Sequence, residues 1–498
     1  LQLRMHFYLL QYVVKYYHIT FRREDIMVFC SIEFISFFLP LLFIVYFVVP
    51  KKFRGIRNFV LLIFSIIFYG WGGPKFIILM TVSVIINYIC GIFASRRFNK
   101  NIRIGSVFLA VFCGIGLLCY FKYMGFLAEI INSVGISVLI PKITLPIGIS
   151  FYTFQGLSYV IDVYRGDTKV QKNPLRLALY ISLFPQLVAG PIVRYSTVEE
   201  EIGNRHENIK DFSDGVIRFI FGFAKKMLIA NSMGIIADNI FAQTLNLSAS
   251  LAWVGAIAYT FQIYFDFSAY SDMAIGLGKM FGFHFLENFN YPYISKTVSE
   301  FWRRWHISLS TWFRDYVYIP LGGNRKGKKM HIINLFIVWF LTGLWHGASW
   351  NFIIWGLWFF VILIGEKFIW GNILKKVPSI IGHIYTMIIV IISWVFFRSI
   401  NLTEAIYFIK AMFGRINGFW DSQTLYWLIQ YKYEFIAAII FSMPIKNIFY
   451  KEFLIRRKKA FFRFSLNWCP VFIALILFIY SYIELVSGSF NPFIYFRF

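Results

Sequence analysis

The sequence predicts an all-α polytopic integral membrane protein with about eleven transmembrane helices and further in-plane or re-entrant helices. Three observations predict it. Of 498 residues, 59% are hydrophobic, 21% aromatic and 15% charged, whereas a soluble domain is about half apolar and a quarter charged. Long apolar runs recur along the chain. Basic residues gather in the short connections between those runs.

The runs lie at 32–50, 57–72, 75–95, 104–122, 146–163, 175–193, 213–237, 250–281, 332–346, 348–370, 381–397, 434–450 and 467–487. A helix needs roughly 20 residues to cross ~30 Å of hydrocarbon, and some of these runs are short or broken, hence about eleven spans. Pro146-Ile147-Gly148 and Ala189-Gly190-Pro191 interrupt two of them. Such breaks predict irregular helices, tolerated where backbone is buried in protein or lines a cavity. The pieces at 123–140, 297–319 and 403–430 read as amphipathic or re-entrant. No repeat, low-complexity tract or soluble domain interrupts the pattern, so 27–498 read as one membrane domain. Residues 1–26 begin with Leu1, carry Arg22, Arg23, Glu24 and Asp25, and precede Met27; they read as an extension upstream of a natural start.

The net charge is +25, from 49 basic and 24 acidic residues. Its placement argues against nucleic acid as a partner. Four clusters carry much of it: Lys51, Lys52, Arg54 and Arg57; Arg96, Arg97, Lys100 and Arg103; Arg325, Lys326, Lys328 and Lys329; Arg456, Arg457, Lys458, Lys459 and Arg463. By the positive-inside rule these loops are cytoplasmic, and both ends of the membrane domain face outside. Cys30, Cys90, Cys113, Cys119 and Cys469 show no metal-binding or disulfide spacing and read as small apolar residues.

One segment breaks the apolar pattern: "EFWRRWHISLSTWFRDYVYIPLGGNRKG", residues 300–327. Thr297 and Glu300 have capping-box spacing, which predicts a helix starting near Val298. Phe301, Trp305, Leu309, Trp312 and Tyr316 then recur at helical spacing, with Arg303, Arg304, Ser308 and Ser310 pointing elsewhere. The pattern predicts a helix lying in the membrane interface, with His306 on the shoulder of its stripe. An anchor whose arginines touch lipid phosphates fits the same pattern.

A second histidine, His346, sits between two apolar runs, flanked by Gly343 and Gly347, which leave room for a ligand or another backbone. Ionisable residues in membrane segments are costly and usually functional, and a neutral imidazole suits proton removal from a hydroxyl. A hydrogen-bonded structural histidine is the competing reading. Asp266, Ser268, Ser271 and Asp272 form a polar stripe that either lines a channel or holds helices together, and Gln186 and Arg194 flank the break at Gly190-Pro191 with the same two readings. Tryptophans 302, 305, 312, 345 and 350 read as packing and interface anchors.

The stretches "ENFNYPYISKTVSEFWRRWHISLSTWFRDYVYIPLGGNRKG" and "GLWHGASWNFIIWG" resemble the membrane-bound O-acyltransferases, specifically their bacterial alginate O-acetyltransferase branch. So do "PIGISFYTFQGLSYVIDVYRGD", "FPQLVAGPIVRY", "FDFSAYSDMAIGLGKMFGF" and the terminal "FNPFIYFRF". The resemblance runs from about residue 28 to the end. It departs at the N-terminal extension and at Ala269, where a glycine is expected.

The resemblance implies a ring of helices around a pinched central channel in a bacterial cytoplasmic membrane, with lipid around it. It implies His346 as the catalytic residue and His306 as its partner. Acetyl-CoA is the implied donor from the cytoplasm, with no permanently bound cofactor and no metal. The implied acceptor is an extracytoplasmic polysaccharide, reached through a separate periplasmic or surface transferase. Arg303, Arg304, Arg314 and Lys326 are candidates for the donor's phosphates, and Ser310, Asp315, Trp345 and Asn351 for the rest of the substrate site; Asp315 is expected to pair with a neighbouring arginine. Two other functions fit: D-alanyl transfer to teichoic acid, and a transporter or flippase with broken helices.

Overall fold

Backbone in hydrocarbon must satisfy its own hydrogen bonds, and all the regular structure among the described residues is helical. The computed structural model describes residues 27–445 apart from 142 and 244–246, together with 460–488, 491 and 494. The expectations for residues 1–26, for the basic side chains at 456–463 and for most of the terminal motif lie outside the described residues.

A π turn at Phe34–Phe38 leads into α1 (Leu39–Val48), followed by α2 (Arg54–Trp71) and α3 (Lys75–Ala94). Next, α4 (Lys100–Leu118) continues through a π turn, Cys119–Tyr123, into α5 (Met124–Ser133). Of the piece at 123–140, expected to be amphipathic or re-entrant, the first part is not re-entrant. The helix runs straight on to Ser133, one apolar stretch of 34 residues. The break at Pro146–Gly148 is present: Gly148 takes φ +70° and opens α6 (Ile149–Arg165), which ends at Gly166. The run at 175–193 does not form one span. It becomes α7 (Pro174–Ser182), α8 (Phe184–Leu187) and irregular backbone around Gly190, where a Cβ would meet the Pro185 carbonyl oxygen at 2.7 Å.

After α9 (Tyr195–Asn204) come α10 (Ile209–Ala224) and α11 (Asn231–Phe241), joined by a π turn, and then α12 (Ala249–Met280), 32 residues of mostly buried helix. The α10–α12 crossing is made close by small residues. A Cβ on Gly215 would lie 2.6 Å from the Gly276 carbonyl oxygen, and one on Gly222 would lie 2.7 Å from that of Ala269. Ala269 therefore contributes only its backbone and a methyl group at a close crossing, which explains why alanine serves where glycine was expected.

The remaining described α-helices are α13 (Val298–Arg304), α14 (Ile307–Phe313), α15 (Gly327–His346), α16 (Trp350–Phe368), α17 (Gly371–Leu374), α18 (Ser379–Arg398), α19 (Leu402–Met412), α20 (Ser422–Gln430), α21 (Lys432–Phe441) and α22 (Ala460–Val486). Seven stretches among the described residues are long and apolar enough to cross a membrane: Arg54–Trp71, Lys75–Ala94, Lys100–Ser133, Ile209–Phe241, Trp350–Phe368, Ser379–Arg398 and Trp468–Val486. This is a multi-pass membrane protein; α12 and α15 add further helices of spanning length with more polar sequences.

Two of the four basic connections, 51–57 and 96–103, meet on one face. Lys51 donates to the Glu207 carbonyl and Arg54 pairs with the Glu207 carboxylate. Arg96 and Arg103 donate to the carbonyls of Arg165 and Tyr164. Arg165 in turn donates to the Asp315 carbonyl, 3.1 Å away, and Arg194 pairs with the Asp315 carboxylate at 2.7 Å. That chain of contacts ties 51–57, 96–103, 164–166, 194–207 and 314–316 to the same side, as one-sided charge predicts.

Candidate active site

The site begins at a helix start. The Thr297 hydroxyl accepts the Glu300 N–H at 3.0 Å, and the Glu300 carboxylate accepts the Lys296 N–H at 3.0 Å. This is a capping box displaced by one residue. From α16, the buried Glu366 carboxylate accepts the N–H groups of Val298 and Ser299 at 2.6 and 2.8 Å and the Ser299 hydroxyl at 2.6 Å. Carboxylates favour this helix end because its first N–H groups are free and its dipole is positive.

The single in-plane helix expected over 297–319 is absent. α13 stops at Arg304, and His306 takes φ +43°, a left-handed backbone unusual for a residue with a Cβ. Paired backbone holds the break open: the Asn290 N–H donates to the Arg304 carbonyl and the Ile307 N–H to the Asn288 carbonyl, both at 2.9 Å. The apolar stripe faces protein, not lipid. Phe301, Trp305, Leu309 and Trp312 are buried; Trp305 packs on Trp394 at 4.9 Å, and Trp312 stacks on Phe154 at 3.8 Å between centroids. Aromatic partners from other helices take the place the pattern assigned to the membrane interface.

His306 is 1% exposed. Its Nδ1 lies 3.2 Å from Asn288 Oδ1, which also accepts the Ser308 hydroxyl at 2.9 Å and the Ser308 N–H at 3.2 Å. The Asn288 amide nitrogen donates to Ser271 Oγ at 3.1 Å. Because the Ser308 N–H can only donate, the oxygen of Asn288 is the atom on that side, and it fixes the proton on His306 Nδ1. Nε2 is left with its lone pair, buried and without a hydrogen-bond partner among the described residues. Phe267 stands edge-on to the ring at 4.7 Å, and Trp345 at 6.0 Å.

His346 ends α15, which rises ~30 Å from Gly327 at 1.5 Å per residue. Its ring is walled by Trp345 and Trp355, both at 4.9 Å, and by Phe397 at 5.1 Å. At 9% exposure it keeps more access than His306. Gly343 and Gly347 leave room for protein, not ligand: Cβ atoms there would meet the Phe352 carbonyl and the Phe352 ring. From the π turn before α5, Lys122 Nζ donates to the Trp345 and His346 carbonyls at 2.5 and 3.2 Å, and the Tyr123 hydroxyl donates to the Leu344 carbonyl at 2.7 Å.

The other residues singled out in the sequence are scattered around this centre. Trp345 joins the two histidines and also packs on Phe151 and Phe154. The backbone N–H of Ser310 donates to the His306 carbonyl at 3.1 Å. Arg303 and Lys326 are exposed, while Arg304 pairs with Glu300 at 2.9 Å. Arg314 and Arg194 both pair with Asp315, at 2.6 and 2.7 Å. Burial opposes ionisation of Asp315, but hydrogen bonds from Arg314 and Arg194 outweigh it and hold the carboxyl below its usual range.

Asn351 spends its amide on structure, donating to the Ser399 carbonyl at 2.5 Å and accepting the Ser349 hydroxyl at 3.0 Å. Gln186 donates to the Tyr180 carbonyl at 2.5 Å. The polar stripe on α12 divides. Asp266 pairs with Lys226 at 2.9 Å, and Asp272 with Arg218 and Lys225 at 2.8 and 2.7 Å, which neutralises both and braces the helices. Ser268 Oγ is buried without a hydrogen-bond partner among the described residues. Ser271 alone reaches the histidine network, through Asn288.

Sequence reasoning missed Asn288, Glu366, Lys122 and Tyr123. Only Lys122 carried a readable signal, as the one cation at the end of the apolar run 104–122.

A polytopic helical membrane protein with two imidazoles built into its interior is the class that fold and site define. The chain belongs to the membrane-bound O-acyltransferase family, whose model matches residues 169–409, and is accordingly an O-acyltransferase. It is similar over most of its length to the probable alginate O-acetylase of Pseudomonas putida, with 38% identity across 95% of this chain and 100% of that one. The peptidoglycan O-acetyltransferase of Helicobacter pylori is 30% identical over 96% of this chain and 99% of its own. The teichoic acid D-alanyltransferase of Bacillus subtilis is 33% identical over 47% of this chain and 62% of its own.

Proposed function

We propose that this protein takes acetyl groups from cytoplasmic acetyl-CoA and passes them across a bacterial cytoplasmic membrane for O-acetylation of an extracytoplasmic polysaccharide, with a separate transferase completing delivery. Residues 27–498 act as one membrane domain. The observation that carries the reading is that His306 and His346 both lie against one indole, Trp345, with ring centroids 6.0 and 4.9 Å from it. Acetyl transfer is favoured over D-alanyl transfer because the O-acetyl relatives are similar over 95% and 96% of the chain and the D-alanyl relative over 47%.

In this reading His346 is the general base. It removes the proton of an acceptor hydroxyl as that oxygen attacks the thioester carbonyl carbon. The C–O bond forms, the C–S bond breaks, and the thiolate leaves and takes up the proton. General-base help of this kind typically contributes ~10²–10⁴-fold, so positioning and carbonyl polarisation must supply the rest. His306, with its proton held on Nδ1 by Asn288, acts as the partner that orients the reacting groups. Arg165, Arg194 and Arg314 gather around Asp315 on the basic face, and that face is where an anionic donor arrives.

The test uses inverted membrane vesicles containing the full chain, with its partner transferase, supplied with labelled acetyl-CoA on the exposed cytoplasmic side. Label is expected to appear in polysaccharide inside the vesicles. Wild-type vesicles that transfer nothing from acetyl-CoA would remove the donor assignment, and transfer by folded His346→Ala at the wild-type rate would remove the base.

A further inference from the structure

The last four carbonyls of a helix have no partner within it. At the end of α15 that leaves acceptors among Trp345, Trp355 and Phe397, an aromatic setting in which an unmet carbonyl is costly. Three of them are met from one neighbouring helix. Lys122 and Tyr123, consecutive residues of the π turn Cys119–Tyr123, donate to the carbonyls of Trp345, His346 and Leu344. Single π turns inside α-helices are frequent at functional sites.

A lysine late in an apolar helix needs a compensating partner. Here the partners are carbonyl oxygens at a helix C-terminus, where the dipole also favours a cation. The ammonium lies 5.9 Å from the Trp345 ring centroid as well. Trp345 is the indole that both histidines touch, so Lys122 grips the backbone at the point where the two catalytic candidates converge. The chain leaves this point extended, with Gly347 at φ −166°. His346 is therefore the last residue of α15, and no further turn of that helix follows it.

We propose that Lys122 is a positioning residue for His346: with Tyr123 it clamps the last three carbonyls of α15 and sets the imidazole against Trp345 and Trp355. The inference rests on the reading of His346 as the base. It adds the element that holds that base in register with an incoming thioester. A misplacement of 1 Å at a reacting group can cost ~10²-fold in rate, so a clamp of this kind acts on kcat rather than on donor binding.

The experiment compares Lys122→Met, Lys122→Arg and His346→Ala in the vesicle assay, with folding followed by thermal unfolding in detergent. Lys122→Met is expected to lower kcat by at least ~10-fold with KM for acetyl-CoA within ~2-fold of wild type, and Lys122→Arg, which still donates to the carbonyls, to recover to within ~3-fold. Wild-type kcat in Lys122→Met overturns the proposal. So does a loss confined to KM, or a Lys122→Arg variant no better than Lys122→Met.

If Lys122→Met does not fold, Tyr123→Phe carries the test, since it frees only the Leu344 carbonyl. It is expected to lower kcat ~3–10-fold at unchanged KM, and wild-type kcat there overturns the clamp. His346→Ala separates the two readings. Inactive His346→Ala beside fully active Lys122→Met removes the clamp and keeps the base, whereas active His346→Ala removes both.

Discussion

The imidazole of His306 meets the indole of Trp345 with ring centroids 6.0 Å apart and planes at 65°. That contact joins a helix break on one segment to the C-terminal end of α15, where Trp345 also stands against His346 at 4.9 Å. Neither histidine was placed by its own helix alone.

Substituting either imidazole is expected to slow transfer while leaving the fold. For His346→Ala the loss in kcat should be ~10²–10⁴-fold, the range of general-base help, with a smaller loss of at least ~10-fold for His306→Ala. Vesicle transfer rates, read beside thermal unfolding of the same preparations, check this.

Asn288 holds His306 Nδ1, Ser308 and Ser271 through a single amide. Asn288→Ala leaves buried groups without a partner and is expected to cost about 1–3 kcal/mol. It should also release the imidazole tautomer and lower kcat. Thermal unfolding measures the first effect, and the kinetic ratio at unchanged KM measures the second.

On the basic face, burial raises the pKa of Glu207, but hydrogen bonds from Arg54 and Tyr46 outweigh it and hold it down to about 2. Its folded-state value lies below the ordinary 4.5, so its stabilisation is fully present above that ordinary value. It is lost as pH falls toward 2. The unfolding temperature should decline as pH falls from about 4.5 to about 2, and Glu207→Gln should flatten that part of the curve while lowering the plateau at pH 7.

The α10–α12 crossing admits no added side chain at its glycines. A Cβ on Gly276 would stand 2.6 Å from the Gly215 carbonyl oxygen and 2.9 Å from the Phe219 nitrogen. Gly276→Val is expected to destabilise by about 1–3 kcal/mol or more through overpacking. Ala269→Gly should cost about 0.5–1 kcal/mol, the ordinary helix penalty. Unfolding temperatures of the two variants test the contrast.

Much of the architecture was legible in the sequence. The capping signal at Thr297 places the start of α13, Gly148 opens α6 at the Pro146 break, and the basic loops at 51–57 and 96–103 meet one face. Each is a local matter, decided by caps, glycine backbone freedom or the cost of moving charge through lipid, and residue order records such preferences directly.

Other features were beyond it. The stripe from Phe301 to Trp312 has helical spacing whether its partner is lipid or protein, and the left-handed turn at His306 depends on backbone bonds from Asn288 and Asn290. Likewise, the run at 104–122 shows that Lys122 is costly without showing which carbonyls repay it. By itself the sequence determined the helical class, and it singled out the two histidines as candidates. Only tertiary structure decided which surfaces meet, because periodicity specifies a face and packing between distant segments selects its partner.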